Sequence, residues 1–145
     1  PRLCGSFTGM RAGHTKAHFT RAVMEGVSLS LLDCKRALDE IGIKYGDKAT
    51  VIGGGAKGEI WRQITADVLG ISLTTTRSSD SSLGSAMLAG VAIGVFESAE
   101  QAANLCVKRE TTTYPNLENT KKYEKIFARY KKIHDALAPI YSEME

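Results

Sequence analysis

The sequence predicts a layered α/β domain with parallel strand pairing, and three observations carry that reading. Segments whose apolar residues recur every three or four positions alternate with short β-prone runs, in the order helix, strand, helix, strand, helix. The sharpest change of period, from strand to helix, falls on consecutive glycines, the residues that let a chain turn tightly. The 145 residues, 43% of them hydrophobic, suffice for one domain with one core. Two clear strands are few for such a sheet, so the domain reads as partial, with its first strands expected upstream of Pro1. Pro1 is not a start methionine, and PRLCGSF runs straight into patterned sequence, as in a piece of something longer.

Residues 15–41 form the first helix: Phe19, Val23, Val27, Leu31, Cys34, Leu38 and Ile41 follow one another at steps of three and four and are expected to be its buried stripe. Gly42 closes it. Gly46 and Asp47 make a turn into a short strand at residues 49–52, which ends at the glycines. The second helix has Ile60, Ile64, Val68 and Leu69 on its apolar face beside Trp61, and Gly70 stands where a helix is left. Residues 71–75 read as a second strand and 77–80 as a loop. A third helix, residues 81–94, is rich in small residues, so that another backbone or a flat ligand can lie close against it. Ser98 and Gln101 have capping-box spacing for a short helix ending near Cys106. Residues 108–115 read as a polar loop. The last helix, residues 117–138, carries Tyr123, Ile126, Phe127, Tyr130, Ile133 and Leu137 on one side, and Pro139 is expected to stop or kink it.

Nineteen basic against sixteen acidic residues leave a charge of +3, too small and too dispersed for a nucleic-acid partner. Cys4, Cys34 and Cys106 are odd in number and widely spaced, which predicts reduced thiols in a cytoplasmic protein, acting as small core residues. No apolar run approaches the roughly 18 residues of a membrane span.

The stretch VIGGGAKGEIW, residues 51–61, is the candidate site. A Walker A loop requires lysine and a hydroxyl after its last glycine, where this chain has Glu59 and Ile60, so that reading fails. Gly53, Gly55 and Gly58 satisfy the dinucleotide (NAD) pattern, with Asp80 at ribose-binding distance downstream. Against it, a long helix precedes the motif and Asp80 follows its strand by several residues. The glycines can also be a tight turn and nothing more, although three in a row exceed what a turn needs. The remaining reading is a nucleotide site of bare backbone at a helix start, where glycine permits close approach and unpaired N–H groups face phosphate oxygens.

At this point the sequence resembles a known family. VIGGGAKGEIWRQITADVLGISL is similar to the adenosine-binding signature of the FGGY carbohydrate kinases, its xylulokinase members above all. GSFTGM followed by FTRAVMEGVSLSL, and SSDSSLGSAMLAGVAIG, resemble two further family segments in the same order. The resemblance implies a ribonuclease-H-like (actin-like ATPase) domain, of which residues 1–145 would be the latter part of the C-terminal, ATP-binding lobe. It implies that Gly54, Gly55 and Ala56 line the adenosine pocket by backbone and that Gly53 makes the turn. Lys57 and Glu59 would reach the ribose or the adenine edge, and Ser82, Leu83 and Gly84 would bring the third helix against the base. Trp61 reads as core packing rather than base stacking. The reaction implied is transfer of the ATP γ-phosphoryl, with Mg2+, to a sugar hydroxyl such as that of D-xylulose. The catalytic carboxylate and the sugar contacts are expected upstream of Pro1, so this chain alone is expected to have no turnover. A non-catalytic nucleotide or NAD module is the alternative.

His14 and His18, four apart, lack the glutamate and third ligand of a zinc site and read as the start of the first helix. Asp33, Asp39, Asp47, Asp67 and Asp80 match no catalytic motif and read mostly as solvated charge or caps. Lys121, Lys122, Lys125, Arg129, Lys131 and Lys132 read as the solvated face of the last helix. The aromatic face opposite could dock on the domain, on an absent N-terminal half, or on a second copy in a homodimer.

Overall fold

A computed structural model describes residues 4–77 and 81–144. The elements run α1 (Lys16–Glu40), β1 (Lys48–Val51), α2 (Gly54–Lys57), α3 (Glu59–Leu69), β2 (Ser72–Thr76), α4 (Ser81–Ala92), α5 (Ala99–Cys106), β3 (Arg109–Thr113) and α6 (Leu117–Glu143). The strands form one sheet in the order β1-β2-β3. β1 and β2 are parallel, with Ala49 opposite Leu73, as the alternating pattern requires of strands joined through a helix.

β3 corrects the reading of residues 108–115 as a loop. It pairs antiparallel with β2, Leu73 opposite Thr113 and Thr74 opposite Thr112, with an irregularity before Thr76. Only its last residue is buried. An outer strand of this kind is held by the backbone ladder and by β-branched threonines, so it shows no apolar alternation to read.

The core lies where three helices meet. Leu29 and Leu32 of α1, Ile64 and Val68 of α3 and Tyr123 of α6 are buried against one another, with Met24, Leu69, Phe127 and Tyr130 partly buried around them. Ser28, fully buried, lets α1 approach α3 closely, and its hydroxyl meets that of Thr65 at 2.9 Å. The expected stripe of α1 is therefore corrected: Val23, Val27, Leu31, Leu38 and Ile41 are 39% to 71% exposed. The contact runs through the adjacent face, where a serine stands at the closest approach and an apolar pattern is interrupted. Ile60, expected inside, is also exposed. Cys4 and Cys34 are exposed and Cys106 is half-buried, so none is a core residue.

α6 continues through Pro139 to Glu143. A proline removes one N–H, and here it stands close to the helix end with Tyr141 buried beyond it, so packing keeps the helical path. α6 is tied to α1 along its length: Tyr123 donates to Glu25 at 2.9 Å and accepts from Arg21 at 3.2 Å. Arg36 reaches Glu124 at 2.5 Å, and Lys131, expected to be solvated, reaches Asp33 at 3.1 Å. Burial first, then the bond to Glu25, holds the Tyr123 phenol above its ordinary range against the opposite pull of Arg21. At neutral pH it therefore stays protonated and able to donate.

After α4 the chain turns back through Gly94 (φ 77°) so that the Phe96 ring lies over Gly90. A Cβ built on Gly90 would stand 2.7 Å from that ring. Gly90→Ala is expected to lower stability by about 1 kcal/mol, the displaced ring outweighing alanine's better helix propensity, as measured by urea unfolding.

Candidate functional site

β1 ends at Val51 and the chain turns at Gly53, with φ 91° and ψ −177°. That backbone is open to glycine and essentially closed to side-chain-bearing residues. One helical turn, α2, follows, and then Gly58 takes an extended conformation that separates it from α3. The helix expected after the glycines is α3, and the single turn α2 ahead of it is an additional element. Gly58 starts α3, its carbonyl accepting from Arg62 N–H at 2.9 Å.

Gly53 and Gly54 present their backbone to open space: a Cβ at either would meet nothing within 4 Å. Gly55 lies against the Trp61 ring, whose nearest carbon is 3.4 Å from where a Cβ would be. Ala56 is half-buried and its carbonyl accepts from Arg62 Nη1 at 2.7 Å. Lys57 and Glu59 are exposed, Glu59 in the acidic first turn of α3. Gly55 and Ala56 border a largely apolar crevice of about 210 Å³ whose other walls include Val27, Leu31, Val51, Trp61 and Leu73.

Residues 53–59 are thus brought together by the chain itself. Ser82, exposed, and Gly84, half-buried with open space beside it, do not line that crevice, and neither does Leu83. α4, which carries them, packs chiefly on α5. Asp80, the ribose partner of the dinucleotide reading, lies outside the described residues. Trp61 is half-buried, with its ring against Gly55 and on the wall of the crevice.

Asp67 departs from its expected role as solvated charge. It is 4% exposed and accepts from Gln63 Nε2 at 2.8 Å, Asn116 N–H at 2.8 Å and Asn119 Nδ2 at 2.9 Å. These bonds seat the start of α6 on α3. Asn116 in turn caps α6, accepting from the N–H groups of Glu118 and Asn119. The pair Arg62 and Thr113, joined by Nε to Oγ1 at 2.7 Å, also escaped the sequence reading. Two residues 51 apart on a helix and a strand leave no periodic signal.

His14 and His18 stack with ring centroids 5.2 Å apart. His18 Nδ1 accepts the Thr15 N–H at 3.1 Å, completing the capping box of α1, which agrees with the helix-start reading. Among the described residues no three or more His, Cys, Asp or Glu side chains are grouped to hold a metal. No described helix is long and apolar enough to cross a membrane.

The chain superposes on the xylulose kinase of Lactobacillus acidophilus with a TM-score of 0.86 and 27% identity, covering 99% of this chain and 29% of that one. Residues 1–93 match the profile of the C-terminal domain of the FGGY family of carbohydrate kinases. The chain belongs to that family. It is 36% identical to the xylulose kinase of Bacillus subtilis over 131 residues, 90% of this chain and 26% of that protein. It is also 34% identical to the glycerol kinase of Citrifermentans bemidjiense over 125 residues, 86% of this chain and 25% of that protein. The chain spans about a quarter of the length of these curated relatives.

Proposed function

We propose that the chain is the ATP-binding, C-terminal portion of a carbohydrate kinase that transfers the ATP γ-phosphoryl to a sugar hydroxyl, D-xylulose being the sugar. Its domain is the latter part of a ribonuclease-H-like, actin-like lobe. Nucleotide would lie against the backbone of Gly53, Gly54, Gly55 and Ala56, with Lys57 and Glu59 toward the ribose or adenine edge and Ser82 and Gly84 approaching from α4. The observation that carries the reading is the open main chain at Gly53 and Gly54 at the mouth of a parallel strand, inside the segment that matches the family. Bare peptide there can approach a flat base or sugar ring at van der Waals distance. Xylulose kinases among both the sequence relatives and the solved structures support the choice of sugar, and glycerol kinases are its competitors. The catalytic carboxylate and the sugar contacts belong to a longer polypeptide of the length the relatives have, and the chain alone has no turnover. The carbohydrate kinases it matches favour this reading over a NAD module.

Gly54→Ala tests the reading. Alanine suits a helical position and its methyl meets no protein atom, so unfolding free energy should stay within about 0.5 kcal/mol of the parent. ATP affinity, followed by fluorescence of Trp61, the sole tryptophan, should fall at least about tenfold, since 1.4 kcal/mol of lost contact gives that factor. Undiminished ATP binding would remove Gly54 from the site, and a preference for NAD over ATP and ADP in the parent would replace the kinase reading.

A further inference from the structure

We infer that Arg62 is a positioning residue for the glycine corner, holding the one-turn helix α2 in the orientation that receives the nucleotide; the inference rests on the reading of that corner as the ATP site. A single helical turn has almost no stability of its own. α2 is four residues long, has no side-chain cap and buries none of its residues. It is bounded by Gly53 in a glycine-only conformation and by extended Gly58, so neither β1 nor α3 continues into it.

Two consecutive side chains of α3 supply the constraint. Trp61 lies beneath Gly55. Arg62 donates Nη1–H to the carbonyl of Ala56 at 2.7 Å and Nε–H to Thr113 Oγ1 at 2.7 Å. The guanidinium is planar, so two bonds to fixed partners define its plane, and with it the direction of the Ala56 carbonyl. Its charge also sits at the C-terminal end of the turn, where backbone carbonyls gather negative potential. Thr113 is 9% exposed and ends β3, so the brace runs from α2 through α3 to the sheet. A lysine at this position has the charge but no fork with which to hold both partners.

The test uses the 145-residue chain with ATP as probe, in three variants: R62M, R62K and T113V. For R62M the ATP dissociation constant should rise about tenfold, as expected when a charge-assisted hydrogen bond that orients the site is lost. Amide exchange should quicken at residues 54–58 while Leu32 and Val68 keep their protection. R62K should recover part of the affinity, and T113V, which leaves the arginine in place, should weaken ATP about threefold. ATP binding by R62M equal to the parent's overturns the positioning role and leaves the nucleotide site standing. If R62M does not fold, unchanged ATP affinity in T113V overturns it. Absence of any ATP-induced amide shift at residues 53–59 of the parent overturns the site and the role together.

Discussion

Asp67→Ala is expected to lower the unfolding free energy by about 4 kcal/mol, the largest effect of any single truncation argued for this chain. The carboxylate is almost fully buried between α3 and the start of α6 and satisfies three donors, Gln63 Nε2, Asn116 N–H and Asn119 Nδ2. Alanine leaves all three without their acceptor, and each unpaired donor costs about 1 to 3 kcal/mol, less where water can enter. Asn116 is the cap of α6, so loss of its anchor also loosens the first turn of a helix whose Tyr123 belongs to the core. Asp67→Asn should do nearly as badly, because an amide turns one acceptor into a donor aimed at donors. Urea unfolding with an unchanged m-value, together with faster exchange confined first to the start of α6, is the expected signature. A loss below about 1 kcal/mol would mean that water replaces the carboxylate and that α6 is seated by its apolar face alone.

Gly53→Ala should cost about 2 kcal/mol and abolish detectable ATP binding at concentrations that saturate the parent. No neighbour would clash with the added methyl, so the whole effect comes from φ 91° and ψ −177°, which alanine cannot hold without strain. The chain relieves that strain by turning the peptide, and the turn moves the backbone of Gly54. Set beside Gly54→Ala, where the fold is spared and only the ligand suffers, the two substitutions separate conformation from contact. Calorimetric unfolding and Trp61 titration measure both on the same samples. Equal stability of the two variants would show that the corner relaxes freely and that its glycines are not conformationally required.

The same contrast explains which parts of the molecule could be read from the sequence. The limits of α1 were legible because Thr15 and Gly42 carry the chemistry of helix ends, and the glycine corner because a backbone demand appears directly as residue identity. The buried face of α1 was not legible: Ser28 at the contact with Thr65 is chosen for size and a hydrogen bond, and apolar periodicity selects against it. β3 was missed because Arg109–Thr113 is held by main-chain pairing that asks little of its side chains. Pro139 misled because its penalty is local while the burial of Tyr141 beyond it is tertiary. Asp67 and Arg62 act through partners about fifty residues away, which no local spacing announces.

The break at Gly58 has a further consequence. α2 buries nothing, whereas α3 from Ile64 to Val68 is wholly interior, and the extended residue between them leaves only Trp61 and Arg62 of α3 to hold the turn. Side chains at residues 54–57 can therefore change with little penalty to the scaffold, provided that Gly55 stays small over Trp61 and the Ala56 carbonyl keeps its place, while the packed layer behind the turn stays constant.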